Sequence, residues 1–258
     1  MTLGLTDATV DGLRRVLTRT GGILFALLLA TQLLVTVSVN TLLVAAAPPE
    51  ATTMIGLTLP VGSAVAGVLL LGTLVFTALY FVLVARALVR PHSQLSSFPS
   101  ELYTHRIGRA TLSMFAGGVV VFFAVAIGLV FLILPGLFVA ASFLFFMFAI
   151  GVEDRGALAG LGRSWELSRG NRLRLVLLAV LIGLGGAVVG AIPTLLQQAG
   201  APVAGDLLSV VLNGTLFTFV YGIMAAAYLQ VTDDGPDSRD GSEPSPAGSA
   251  FDVDESLD

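Results

Sequence analysis

The side chains best suited by type to proton transfer are the adjacent acids Glu153 and Asp154. A second set, His92, Glu101 and His105, offers nitrogen and oxygen donors of the kind a metal or a general base would use. Neither set has the spacing of a metal motif. Both acids stand where a helix start needs capping, and that reading accounts for them without chemistry. The two histidines and Glu101 share the segment 86–110, where Pro91, Pro99 and several serines make a solvated loop the simpler expectation. No catalytic residue, cofactor site or metal site is assigned, and the chain is expected not to be an enzyme. With no Cys, disulfides, zinc thiolates and cysteine nucleophiles are excluded.

The elements that position these groups follow from the distribution of charge. Of 258 residues 55% are hydrophobic and 12% charged, about half the charged fraction of a soluble domain. The mean hydropathy is +0.93. A net charge of -4 without a basic run excludes a nucleic-acid partner. Residues 20–49, 51–85, 110–152, 175–205 and 207–232 carry no charge, and such runs read as membrane-spanning helices. The run 110–152 is too long for one crossing, and Pro135-Gly136 is expected to be the turn that divides it. The result is an all-α, polytopic six-helix transmembrane bundle with short interfacial amphipathic helices. Its spans lie at about 21–47, 58–85, 111–134, 137–152, 175–198 and 207–231. A cleaved signal peptide would be the competing reading of the first span, but about 25 apolar residues exceed the 7–15 of a signal sequence.

All 13 basic residues are Arg. Segments 1–20, 86–110 and 153–174 hold three, four and five of them; the intervening connections hold none. By the positive-inside rule the Arg-bearing side is cytoplasmic, with both termini on it, in the cell membrane.

Residues 1–20 form an N-terminal cytoplasmic segment, amphipathic over 6–19, with Thr6 or Asp7 as cap and Val10, Leu13 and Leu17 on one face. A second amphipathic helix is expected over 155–169, capped by Asp154, with Leu158, Leu161 and Trp165 as its apolar stripe. Arg163 and Glu166 would pair at i, i+3. Arg155, Arg163, Trp165, Arg169 and Arg172 are candidate lipid-headgroup contacts, although the same arginines are needed for topology alone. Residues 232–258 hold nine of the 17 acids and are expected to form an acidic disordered tail. Arg without Lys beside an acidic tail suggests a GC-rich, salt-adapted bacterial or archaeal host.

Inside the spans no side chain ionises, so a proton relay or ion-coupled pump has nothing to work with. Gln32 and Asn213 are candidate intramembrane polar contacts, with an interhelical hydrogen bond the preferred reading of Gln32. Gly183, Gly186 and Gly190 in the fifth span are expected to admit a neighbouring helix of the bundle, a dimer face being the lesser alternative. Nine of 16 Phe fall in 115–148, which could mark a lipid-tail groove or simple hairpin packing.

The stretches Leu134-Pro135-Gly136-Leu137, Val152-Glu153-Asp154-Arg155-Gly156-Ala157-Leu158 and Arg163-Ser164-Trp165-Glu166-Leu167-Ser168-Arg169-Gly170-Asn171 carry a resemblance. Together they resemble six-span prokaryotic membrane proteins, namely the membrane domain fused to some glycerophosphoryl diester phosphodiesterases and the YciC-type proteins. The resemblance implies a fold and a membrane location. It implies no catalytic residue, because the phosphodiesterase activity belongs to a separate barrel domain for which this chain has no residues.

The expectation is a non-enzymatic membrane scaffold, envelope-maintenance or lipid-associated factor. Its partners would be the lipid bilayer, anionic lipids in particular, and another membrane protein. The alternative is a transporter or channel subunit for a neutral or amphiphilic solute.

Overall fold

The computed structural model describes residues 4–131 and 133–233. They are helical, with no strand among the described residues. In order the helices are α1 (Leu5–Val16), α2 (Arg19–Ala46), α3 (Pro49–Thr52), α4 (Ser63–Leu88), α5 (Glu101–Thr104) and α6 (Ile107–Phe131). There follow α7 (Ile133–Ser142), α8 (Phe146–Gly151), α9 (Ala157–Ser168), α10 (Arg172–Gln198) and α11 (Pro202–Asp233). Five of these, α2, α4, α6, α10 and α11, are long and apolar enough to cross a membrane. A helix satisfies its own backbone polar groups, which is the condition for crossing oil. The acidic tail expected over 232–258 lies, from residue 234 onward, outside the described residues.

The segment after α6 departs from expectation. Pro135-Gly136 does not turn the chain. Pro135 lies in the first turn of α7, where a missing N–H costs no hydrogen bond. Gly136 instead permits close packing: a Cβ on Gly128 of α6 would stand 2.7 Å from the Gly136 Cα. The continuous span expected at 137–152 is broken at residues 143–145 into α7 and α8. Ten residues of α7 rise about 15 Å, half a hydrocarbon core. All six residues of α8 are buried. Gly117, Gly160 and Ala85 are what make room for it: a Cβ at Gly117 would strike Phe146, one at Gly160 would meet Ile150 at 2.8 Å, and one at Gly151 would meet Ala85 at 2.6 Å. The core is therefore concentrated where α4, α8 and the end of α11 meet, around Val84, Phe148 and Ala227, all fully buried.

The two amphipathic helices form, but with other faces inward. Neither Thr6 nor Asp7 caps α1; Gly4 is its N-cap and makes no side-chain bond to the helix. The Gly4 N–H donates to Gln230 Oε1 at 3.2 Å, so the start of α1 lies beside the end of α11. The helix buries Ala8, Gly12, Arg15 and Val16, whereas Val10, Leu13 and Leu17 face away from the protein. In α9, Gly156 is the N-cap without a side-chain bond, Asp154 having turned away at φ 51°. The buried face is Gly160, Ser164, Leu167 and Ser168, while Leu158 is 80% exposed. Ser164 donates to the Ser142 carbonyl at 2.9 Å and ties α9 to α7. Gly170 stops the chain at φ +84°.

Among the described residues no helix lies against Gly183, Gly186 or Gly190: a Cβ at each would meet open space. The close helix contact is elsewhere, between Gly12 of α1 and Gly222 of α11.

Candidate functional site: an ion-paired collar

The polar side chains gather at the end of the bundle where α1, α4, α8 and α11 converge, in three linked clusters. In the first, Arg86 leaves the last turn of α4 with its side chain 10% exposed. Its Nε donates to the Gly151 carbonyl at 2.7 Å and its Nη1 to the His105 carbonyl at 2.7 Å. Its Nη2 donates to Asp154 Oδ1 at 2.9 Å. The other Asp154 oxygen meets His105 Nε2 at 3.0 Å. One guanidinium thus joins α4, the end of α8 and the 86–110 segment.

Glu153 organises the second. Its Oε2 accepts from Arg155 Nε at 2.6 Å, and its Oε1 from Arg163 Nε at 3.2 Å and from the Tyr228 hydroxyl at 3.0 Å. The Tyr228 ring stacks on Phe148, centroids 4.9 Å apart, which fixes the hydroxyl. Burial alone would push the Glu153 carboxyl up. The hydrogen bonds from Arg155, Arg163 and Tyr228 outweigh it and hold the group below its ordinary value of 4.5.

The third cluster ties α1 down. Arg15, 7% exposed, donates through Nη1 to the carbonyls of Leu88 at 2.8 Å and Arg90 at 2.9 Å, and through Nε to Asp11 at 2.7 Å. Asp11 also meets His92 Nε2 at 3.2 Å. A cavity of about 380 Å³ lies in the collar, with Arg86, Arg90, Glu101, His105 and Asp154 in its wall.

Glu153 and Asp154 are therefore not helix caps; both are hubs of ion pairs. His92 and His105 are not brought together, since each faces a different aspartate. Among the lipid-contact candidates, Arg155 and Arg163 are engaged by Glu153, and Arg163 also reaches Glu166 at 3.8 Å. Trp165 packs edge-on against Phe138 with centroids 5.7 Å apart. Arg172 lies over both rings, 4.2 Å from the Trp165 centroid and 5.1 Å from that of Phe138. Its Nε is buried without an acceptor among the described residues. Arg169 is exposed at the end of α9. Asn213 donates to Ser209 of its own helix at 2.9 Å, and Gln32 is half-buried with no hydrogen bond to a described residue. The interhelical bond expected of Gln32 is absent among the described residues.

One group at the other end of the bundle was missed by sequence reasoning. Asp206, in the second turn of α11, is 7% exposed. Its Oδ2 accepts from Asn40 Nδ2 at 2.7 Å and from the Leu57 N–H at 2.8 Å, and its Oδ1 from Gln197 Nε2 at 3.1 Å. It fastens α2, α10, α11 and the loop before α4 to one another. The signal was a lone acid between two charge-free runs.

No curated protein and no solved structure matches the chain. The family match does not connect it to the phosphodiesterase membrane domain or to the YciC-type proteins. What does match, over residues 5–231, is a domain of unknown function, DUF7847, and the chain belongs to that family.

Proposed function

We propose that this is a non-enzymatic integral membrane protein of the cytoplasmic membrane, acting as a scaffold or lipid-associated factor. It crosses six times, five times through the long helices and once, fourth along the chain, through the broken segment α7–α8, and the collar faces the cytoplasm. The observation that carries this reading is the confinement of ionised groups to the two ends of the bundle. Several of them bind one another or backbone carbonyls there, as Arg86 and Arg15 do, and the helix bodies between are left without a charged path. The Gly4–Gln230 contact supports an even number of crossings, because it sets the start of the first helix beside the end of the last, at one end of the bundle. Twelve arginines at one end and none in the opposite connections support the orientation.

Purified protein in liposomes is expected to give no saturable flux of small neutral or amphiphilic solutes, and to retain anionic phospholipid through gentle extraction. Saturable uptake would overturn the scaffold reading in favour of a transporter. The observation favouring that second reading is Gln32, half-buried without a hydrogen-bond partner among the described residues. If it lines a path, Gln32→Leu abolishes the uptake.

A further inference from the structure

At the collar end of the bundle positive charge exceeds negative. Residues 1–233 hold 12 Arg and nine acids, and two of those acids, Glu50 and Asp206, stand at the far end. Part of the excess is gathered in one place. Arg106, Arg109 and Arg155 wall a shallow notch together with Asp154. Asp154 does not neutralise them, because Arg86 and His105 take its two oxygens. Arg155 gives its Nε to Glu153 and keeps a side chain 42% exposed. Arg106 and Arg109 are exposed and have no carboxylate partner among the described residues. The backbone is strained to hold this arrangement: Arg106 at φ 44° and Asp154 at φ 51° are the two non-glycine residues with positive φ among the described residues. Asp enters the left-handed region readily, whereas Arg stays there only where the surrounding structure requires it.

The patch belongs to the end of the bundle rather than to a lipid-facing side. Asp154 and Arg155 follow α8, whose six residues are buried and which packs against α4, α6 and α9. What reaches the patch comes from the aqueous side, and its chemistry must be anionic. The chain itself carries such a ligand. Residues 234–258, outside the described residues, hold eight acids and one Arg, and they follow directly on the end of α11 at Asp233. That point is close to the patch. The Tyr228 hydroxyl and Arg155 Nε bind the same Glu153 carboxylate, and Asp233 is about 7.5 Å further along the helix than Tyr228. Residues 252–258 carry four of the eight acids and no base. Residues 234–251 before them span up to about 60 Å when extended. Exposed ion pairs are weak one by one, but a ligand tethered to the same chain meets its site at an effective concentration on the order of millimolar. Guanidinium also takes a carboxylate in paired, planar geometry.

We propose that the acidic segment 252–258 docks on Arg106, Arg109 and Arg155, so that the chain's own tail occupies the patch and withholds it from other anions. The chain has no Cys, so two thiols can be placed for spin labels. One is Gly108→Cys, between the two arginines, where a Cβ meets open space; the other is Val253→Cys. Full-length protein in phosphatidylcholine nanodiscs, measured by pulsed dipolar electron spin resonance, is expected to show a short-distance population. R106Q/R109Q should reduce that population about tenfold, roughly threefold for each exposed ion pair lost, at unchanged melting temperature. D252N/D254N should reduce it comparably, and salt at about 1 M should abolish it. Absence of the population in the parent, its persistence in R106Q/R109Q, or its survival in high salt overturns the proposal. A patch taken by the membrane instead shows itself as a tail that stays distant while R106Q/R109Q weakens sedimentation with phosphatidylglycerol vesicles, and that result also overturns it. None of these failures touches the scaffold reading, which falls on the flux measurement instead.

Discussion

The backbones of Gly12 and Gly222 are in direct contact: a Cβ on Gly222 would stand 2.5 Å from the Gly12 carbonyl oxygen, and one on Gly12 would stand 2.5 Å from the Ile223 nitrogen. Neither obstacle is a flexible side chain, so neither can yield without moving a helix. Through this contact α1 lies along the end of α11, where Arg15 can reach the Leu88 carbonyl.

Gly12→Ala and Gly222→Ala are each expected to destabilise the protein by about 1–3 kcal/mol, the usual cost of overpacking. Gly186→Ala on α10 is the control. A Cβ there meets open space, and helix propensity favours Ala by about 1 kcal/mol. Thermal unfolding in detergent should therefore place the first two variants below the parent and Gly186→Ala at or above it.

Arg86→Ala removes a nearly buried guanidinium that satisfies three carbonyls and Asp154. The expected loss is about 3 kcal/mol, the range for breaking a buried pair and stranding its partners. Arg86→Lys should recover only part of this, because an ammonium cannot reach all these acceptors in fork geometry. Chemical denaturation of the three proteins orders them directly.

Asp206→Ala leaves Asn40, Gln197 and the Leu57 N–H without their acceptor at a site that is 7% exposed. A cost of about 3 kcal/mol is expected. Asp206→Asn keeps one acceptor oxygen and should cost less. Protease accessibility of the 47–62 loop reports on the same fastening, and should rise in the Ala variant.

The depressed Glu153 carboxyl makes stability depend on pH in a known direction. A carboxyl held below its unfolded value binds fewer protons when folded. Its contribution is complete above the ordinary value of 4.5 and is lost as pH falls through the depressed folded value. Parent protein should lose stability faster than Glu153→Gln on acidification through that window. Equal slopes would mean that Arg155, Arg163 and Tyr228 do not hold the ionised form.

The long helices were legible because oil tolerates no charge: α2, α4, α6, α10 and α11 fall on the charge-free runs of the sequence. What failed was local inference about residues whose partners are distant. Glu153 and Asp154 stand beside a helix start and read as caps, but Tyr228 and Arg86, far along the chain, outbid the helix for them. Pro135 read as a turn because its missing donor forbids a helix interior, yet a first turn accepts it. Gly183, Gly186 and Gly190 of α10 carry the spacing of a helix contact and have no described residue against them, whereas Gly12 and Gly222 carry no such spacing and touch. Small residues permit close approach; which pair uses it is decided by the tertiary fold. Asp206 was passed over because a single acid at a span's edge resembles a loop residue until its three donors are seen.

The orientation of the bundle is the claim on which the functional reading depends, and the chain lacks cysteine, so single engineered thiols test it cleanly. Met54 is 61% exposed at the arginine-free end, and Ser96 is exposed in the segment between α4 and α5. In intact cells, an impermeant maleimide should label Met54→Cys at once and Ser96→Cys only after permeabilisation. Labelling of Ser96→Cys from outside, with Met54→Cys protected, would place the collar on the external face and contradict the account.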